Sequence, residues 1–200
     1  VMYHLSAHGE KKKIRPVSRL DRNTSGIIIF AKNPFVQDFL MRQKGNAFTK
    51  EYIGIVHGNV CEDKGTINLP ISRKPDSIML RHVSETGLPS VTHFDVIERF
   101  NNATLLRFIL ETGRTHQIRV HCQAIGHPLV GDDLYCIEDA SQEIMLPDII
   151  ERQALHSYKV RFAHPLTKSL IEFTAPLPED MQKALEILRN KQNNIYRILL

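Results

Sequence analysis

The chain is poor in cysteine, glycine and proline, and each shortage excludes something. Its three cysteines, Cys61, Cys122 and Cys136, are odd in number and contain no Cys-x-x-Cys pair. That argues against a disulfide framework and a structural zinc site, and a reducing cytosol is the simplest setting. Only ten glycines and ten prolines occur in 200 residues, which excludes a collagen-like or low-complexity chain. Glu, Lys or Arg interrupts every aliphatic stretch, so no apolar run reaches membrane-spanning length. The start carries no signal-peptide pattern. Neither Gly-x-Gly-x-x-Gly nor Gly-x-x-x-x-Gly-Lys-Ser/Thr is present, so nucleotide-cofactor folds lack their fingerprint. No Gly-x-Ser-x-Gly elbow occurs either.

What is present fits one medium-sized globular domain, or one domain in two lobes, at 42% hydrophobic and 24% charged residues. The net charge of +4 permits a nucleic-acid partner without establishing one. Residues 26–31 form a short β-branched run that reads as a buried strand. Asn33-Pro34 reads as a helix cap and first position, with Phe35, Phe39 and Leu40 on one face and a stop near Gly45. Another strand is expected over 52–56, and 59–90 reads as turn-rich. Strands over 91–100 and 103–110 flank an Asn101-Asn102 turn. A helix follows Gly113-Arg114-Thr115, with Ile118, Cys122 and Ile125 on one apolar face. Residues 137–151 read as a loop with a helical turn. Residues 154–162 and 169–174 read as an antiparallel pair, and a last helix opens at Pro178-Glu179-Asp180. Without strict βαβ alternation the class is α+β, with a largely antiparallel sheet.

Two constellations could carry chemistry. Asp21 stands among Arg15, Arg19 and Arg22, where neighbouring cations keep a carboxylate ionised and fit to act as nucleophile or base. The plainer reading is an Asx-turn ahead of the strand. The same stretch imitates a calcium loop, but its twelfth position is Lys32, which would repel the metal. The second constellation is 113–121, which crowds Arg114, His116, Gln117, Arg119 and His121 onto a helix start. Residue types leave two readings open there, an anion site and a solvated polar face capped by Thr115. Lys50-Glu51-Tyr52 adds a Tyr that offers a stacking face, or merely packs its strand.

Taken in order, these strings resemble the RluA family of RNA pseudouridine synthases. The matching stretches are 19–26, 30–32, 50–52, 112–121, 125–135, 154–156, 164–167 and 175–178. The resemblance implies an α+β fold with flanking helices, a mixed, mainly antiparallel sheet and a central cleft between two lobes. It implies that Asp21 is the catalytic carboxylate. Arg19 would enter the RNA stack in place of the flipped base. Tyr52 would stack on the uracil and is a candidate for proton transfer at carbon 5. Arg114 would pair with Asp21, and Ile118 would wall the uracil pocket. Thr24, His116 and Gln117 join Arg19 and Ile118 as expected substrate contacts. Residues 1–200 are expected to form one catalytic domain that lacks its N-terminal strand and any separate RNA-binding domain. Ser18 departs from the family's usual His.

The chemistry suits these residues. Pseudouridine formation breaks a glycosidic bond and rejoins the base through carbon 5, with no net redox change and no outside donor. No cofactor or metal is therefore expected. The expected partner is ribosomal or transfer RNA, met in the cytoplasm, with no membrane and no obligatory protein partner. Lys11 to Lys13 with Arg15 would meet phosphates without reading sequence. The rival is a non-catalytic RNA-binding module on the same scaffold. A carboxylate-based hydrolase ranks last, because no motif pairs a second acid with Asp21.

Overall fold

A computed structural model describes Tyr3, Ala7 and residues 13–43, 45–136 and 150–198. In chain order the strands are β1 (Arg15–Pro16), β2 (Ser25–Gly26), β3 (Phe30–Ala31), β4 (Phe48–His57), β5 (Lys64–Asn68), β6 (Ile71–Arg73), β7 (Arg81–Val83), β8 (Val91–Arg99), β9 (Ala103–Leu110), β10 (Leu155–Ala163) and β11 (Leu170–Thr174). The helices are α1 (Pro34–Arg42), α2 (Gln117–Ala124) and α3 (Glu179–Ile198).

Strong β formers over 48–57 and 91–110 build the sheet's centre, because branched and aromatic side chains pack well on a pleated surface. The sheet has seven strands, six in the order β11-β10-β4-β9-β8-β5, with β2 joined to β10. Every pairing in it is antiparallel except β2 with β10. The fold is therefore α+β with a mixed, mainly antiparallel sheet. Alternation then sorts the side chains. Ile53 and Ile55 with Ala103 and Leu105 meet Met181, Ala184, Leu185 and Leu188 of α3. Tyr52, Val56, Leu106 and Phe108 face the other way and meet Ile118 and Cys122 of α2. The second face carries the cleft described below. No helix among the described residues is long and apolar enough to cross a membrane.

Several sequence expectations need correction. The run over 26–31 is not one buried strand. Gly26, at φ +107°, lies so close to β10 that a Cβ would stand 2.2 Å from the Ser157 carbonyl oxygen. That approach turns the chain out of the sheet, leaving Ile28 exposed and handing Phe30–Ala31 to β1 instead. Asn33 caps α1 as expected, its Oδ1 accepting from Val36 N at 2.8 Å. Phe35, however, is exposed, because α1 packs on the small β1–β3 ribbon and only Leu40 is fully buried. The 59–90 stretch holds three strands too short to show a period, including the β6–β7 hairpin. Thr115 does not cap α2; His116 is the cap residue, in the left-handed region at φ 58°. Gln117, Arg119 and His121 are buried, so this is no solvated face. Of the 137–151 loop, residues 137–149 lie outside the described residues, as do Lys11 and Lys12.

Candidate active site

The loop carrying Asp21 is held from its far side. Asp21 closes a main-chain turn in which its carbonyl accepts from Thr24 N at 3.1 Å, with Asn23 left-handed at φ 68°. The carboxylate itself takes no part in that turn, so the Asx-turn reading does not hold. The segment before and into β10 grips the loop residue by residue. Arg152 Nη1 donates to Asn23 O at 3.0 Å, and Gln153 Nε2 donates to Arg22 O and Thr24 Oγ1 at 2.7 and 2.9 Å. Ser25 Oγ lies 2.9 Å from His156 Nδ1. The other ring nitrogen of His156 faces the Ala175 carbonyl at 3.3 Å and must donate to it, so Nδ1 accepts from Ser25. Burial pushes His156 below the usual imidazole range, consistent with that neutral tautomer. Arg152, Gln153, His156 and Ser157 are not among the site residues expected from sequence. Their only local signal is a polar cluster at the entry to an apolar strand.

Asp21 opens onto a cleft of about 390 Å³. Arg19, Asp21, Thr24, Tyr52, Arg114, Gln117 and Ile118 all line it. Seven of the eight residues expected from sequence are thus brought together, although they come from three distant parts of the chain. Tyr52 is 6% exposed on β4, and Ile118 is 4% exposed at the head of α2. The Tyr52 phenol is pushed up to about 12, first by burial, with the Asp21 charge adding to it and the Ser157 side chain opposing. At neutral pH only about one molecule in 10⁵ would carry the phenolate. Tyr52 is therefore suited to stacking, and ill-suited to accept a proton in the resting protein. Lys50, two residues before Tyr52, also lines the cleft.

The opposite wall is the 113–115 loop. Its brace is Gln117, whose amide is fully used. Nε2 donates to Val91 O and Thr92 Oγ1, both at 3.0 Å, while Oε1 accepts from Thr112 Oγ1 at 2.8 Å and Arg114 N at 3.0 Å. No donor or acceptor is left for a substrate, which corrects the expected role of Gln117. The expected Asp21–Arg114 ion pair is not formed. Arg114 Nε instead donates to Pro89 O at 3.2 Å on an exposed edge. Arg19 spans the cleft mouth, its Nη2 donating to Thr115 Oγ1 at 3.3 Å.

His116 is the one expected residue that does not line this cleft. It lines a neighbouring cavity of about 440 Å³ with Arg22, Arg81 and Arg119. Its Nδ1 lies 2.8 Å from Tyr135 Oη, which also accepts from Arg81 N at 2.9 Å. Burial lowers its pKa, with Asp21 opposing. Behind it Arg119 forks onto Asp132 with two bonds of 2.6 Å, and Leu134 N and Tyr135 N donate to the same carboxylate. Thr115 lines both cavities and a third of about 480 Å³ that reaches Arg73 and Arg81. Cations therefore outnumber acids in the lining of these three cavities.

Residues 2–124 match the model of a family described as RNA pseudouridylate synthase. The chain belongs to this family. It is 43% identical over 187 residues to an uncharacterized RNA pseudouridine synthase, YjbO of Bacillus subtilis, covering 93% of this chain and 63% of that one. It is 41% identical over 197 residues to the ribosomal large subunit pseudouridine synthase D of Pasteurella multocida, covering 94% and 60%. The chain spans about three-fifths of the length of these curated relatives. Among solved structures, human RNA pseudouridylate synthase domain containing 1 superposes with a TM-score of 0.65 at 26% identity, over 88% of this chain and 80% of that one. The human domain containing 4 protein does so at 0.74 and 21% identity, over 94% and 81%, a likeness of fold alone. The family match takes in Asp21, Tyr52 and Arg114.

Proposed function

We propose that this chain is the catalytic domain of an RNA pseudouridine synthase, isomerising uridines of structured RNA in the cytoplasm with Asp21 as the reacting carboxylate. The observation that carries the reading is the cleft in which Asp21, Tyr52, Arg19 and Ile118 converge from separate elements. A carboxylate with no hydrogen bond or ion pair among the described residues is poorly suited to structure alone. A module that only bound RNA would gain nothing from an acid there.

In this reading the cations lining these cavities hold phosphates, and the target base leaves its stack at a cost of a few kcal/mol. Arg19, at the cleft mouth, fills the vacated place. The base lies on Tyr52 against Ile118, and the sugar meets Asp21. Asp21 attacks the anomeric carbon or removes the neighbouring sugar proton. Arg114 exchanges its exposed bond to Pro89 for the carboxylate once RNA excludes water, because a charge pair strengthens as the local dielectric falls. The RNA is ribosomal or transfer RNA. The relatives named for an RNA are named for the large ribosomal subunit, which favours ribosomal RNA.

The test is tritium release from RNA carrying 5-³H-uridine. The parent chain should release tritium, and Asp21→Asn should abolish release while its unfolding free energy from urea titration stays within about 0.5 kcal/mol of the parent. Release by the Asn variant would overturn the carboxylate assignment. No release by the parent chain would overturn the enzymatic reading.

A further inference from the structure

Lys50 is a cation inside the cleft that the reading above does not use. It stands on β4 two residues before Tyr52, so the two side chains share one face with Cα atoms about 6.6 Å apart. Both line the cleft, whereas Glu51 between them turns away toward Arg107 at 4.0 Å. Apolar Pro16, Val17 and Met41 line the same cleft. The Lys50 ammonium rests 5.4 Å from the centroid of the Phe48 ring. That ring holds the charge without neutralising it, because an aromatic face attracts a cation but carries no net charge. No carboxylate forms an ion pair with Lys50 among the described residues, and burial alone lowers its pKa. A desolvated, uncompensated cation is unfavourable in the resting protein and favourable beside a transient anion.

The order of groups along the cleft indicates which anion. Gln153, His156 and Ser157 hold the segment that carries Asp21, and Leu155–Ser157 pair with Gly54–Tyr52 of β4, whereas Lys50 pairs further along β10 with Val160. Along the strand direction the Asp21 segment is thus held on one side of Tyr52 and Lys50 stands on the other. A nucleoside with its sugar at Asp21 and its base on Tyr52 points the far edge of that base at Lys50. In uracil the atom across the ring from N1 is C4, which bears a carbonyl oxygen.

We propose that the Lys50 ammonium donates a hydrogen bond to the uracil 4-carbonyl and stabilises the base as it departs. The inference rests on the synthase reading. In the step concerned the C1′–N1 bond breaks and its electron pair goes to the base. The base thereby becomes an anion with charge spread onto its carbonyl oxygens. Lys50 keeps its proton throughout. The sugar is completed either by a new bond from an Asp21 oxygen to C1′, or by loss of the neighbouring sugar proton to Asp21 with a double bond forming. The uracil anion arises on both routes, so the role does not depend on which one operates. A 4-amino group, as in cytosine, would instead turn a donor toward the ammonium, so Lys50 also selects for uridine.

The experiment compares the full chain with Lys50→Met and Lys50→Arg in single-turnover tritium release, filter binding and urea unfolding. Lys50→Met should slow the rate at saturating enzyme by 100-fold or more, with RNA affinity within threefold of the parent. Lys50→Arg should recover at least tenfold of that loss. The preference for uridine-containing over cytidine-containing competitor RNA should narrow in the Met variant alone. If affinity instead weakens, the salt dependence drops by about one phosphate and the saturating rate holds, then Lys50 is a phosphate contact and the proposal fails. An unchanged rate in Lys50→Met also overturns it. Should the Met variant not fold, a Lys50→Arg variant no better than a folded Lys50→Gln would overturn it equally. A parent chain that releases no tritium overturns the synthase reading itself, and the two failures are thereby told apart.

Discussion

Replacing Gln117 with methionine should damage stability and catalysis together, because one amide makes four bonds that hold the Arg114 loop. Methionine is close in volume, so little cavity is created. The loss lies in hydrogen bonding. Three of the four partners keep another bond. Val91 O still accepts from Glu111 N at 3.3 Å, Thr112 Oγ1 from Val91 N at 2.9 Å, and Thr92 Oγ1 still meets His121 Nδ1 at 2.9 Å. Only Arg114 N is left with nothing. At about 1 kcal/mol net per neutral bond, with the full penalty on one amide and discounts on the rest, the sum is about 2–3 kcal/mol.

For a chain of this size that is a fall in Tm of about 4–12 °C, read by circular dichroism. A loop displaced by an ångström would lower kcat/KM about 100-fold in tritium release. Urea unfolding and activity must therefore fall together. Stability within about 0.5 kcal/mol of the parent with a raised KM would refute the reasoning. Gln117 would then be touching RNA rather than bracing Arg114.

Three further outcomes follow from the same geometry. Gly26→Ala must put a Cβ 2.2 Å from Ser157 O at φ +107°, so it should lose about 2–4 kcal/mol in urea unfolding and most of its tritium release; full activity would show that β10 does not position Asp21. Asp132→Ala leaves a guanidinium whose side chain is 3% exposed with the solvent-exposed Asp133 carboxylate at 3.6 Å in place of its two short bonds and should lose about 3–5 kcal/mol, while the Arg119→Met, Asp132→Leu double variant should lose less than that. A single variant within 1 kcal/mol of the parent would contradict the role of the pair. His116, His121 and His156 all have pKa values lowered from 6.5, burial first, so the unfolded chain binds more protons just below that pH. Their contribution is complete above about pH 6.5 and is lost as pH falls through the window beneath it. The urea midpoint should thus be lower at pH 5.5 than at 7.5, and an equal or higher midpoint at 5.5 would sink the argument.

The parts of the fold legible in the sequence are those with a clear period or a clear cap. The β8–β9 hairpin was readable because ten-residue alternation brackets Asn101-Asn102, and α1 because Asn33-Pro34 is a local device whose bond to Val36 N depends on nothing distant. Strands of two or three residues have no period to read, so β1, β2, β3, β6 and β7 were invisible. The break at Gly26 has a different cause. A β-branched run is what a strand needs, but the φ of Gly26 is dictated by Ser157, 131 positions away in the chain, and no local pattern encodes that approach. Phe35 was misplaced because the face a helix buries depends on how much surface it meets, and the β1–β3 ribbon is small.

The site divides along the same line. Residue types alone left Asp21, Tyr52 and Arg114 each with a plainer reading, and only the resemblance carried by the order of the matching stretches singled them out as site candidates. Which donors are already taken could not be read, because that is settled by partners far off in the chain. Gln117 looked like a ligand until Val91, Thr92 and Thr112 were seen to exhaust its amide. Arg114 looked paired, but an exposed guanidinium chooses between partners of nearly equal worth. A surface ion pair stabilises by about 0–1 kcal/mol, and a charged donor on a carbonyl is worth no less. The Pro89 carbonyl can therefore hold Arg114 while the cleft is open to water. Removing that water changes the comparison, because a carboxylate–guanidinium attraction grows steeply as the dielectric falls and a bond to a neutral carbonyl grows far less. The separation of Asp21 from Arg114 in the open cleft is thus compatible with their pairing once a nucleotide fills it, and the groups that would shut out water, Ile118, Tyr52 and Leu155, already line the cleft.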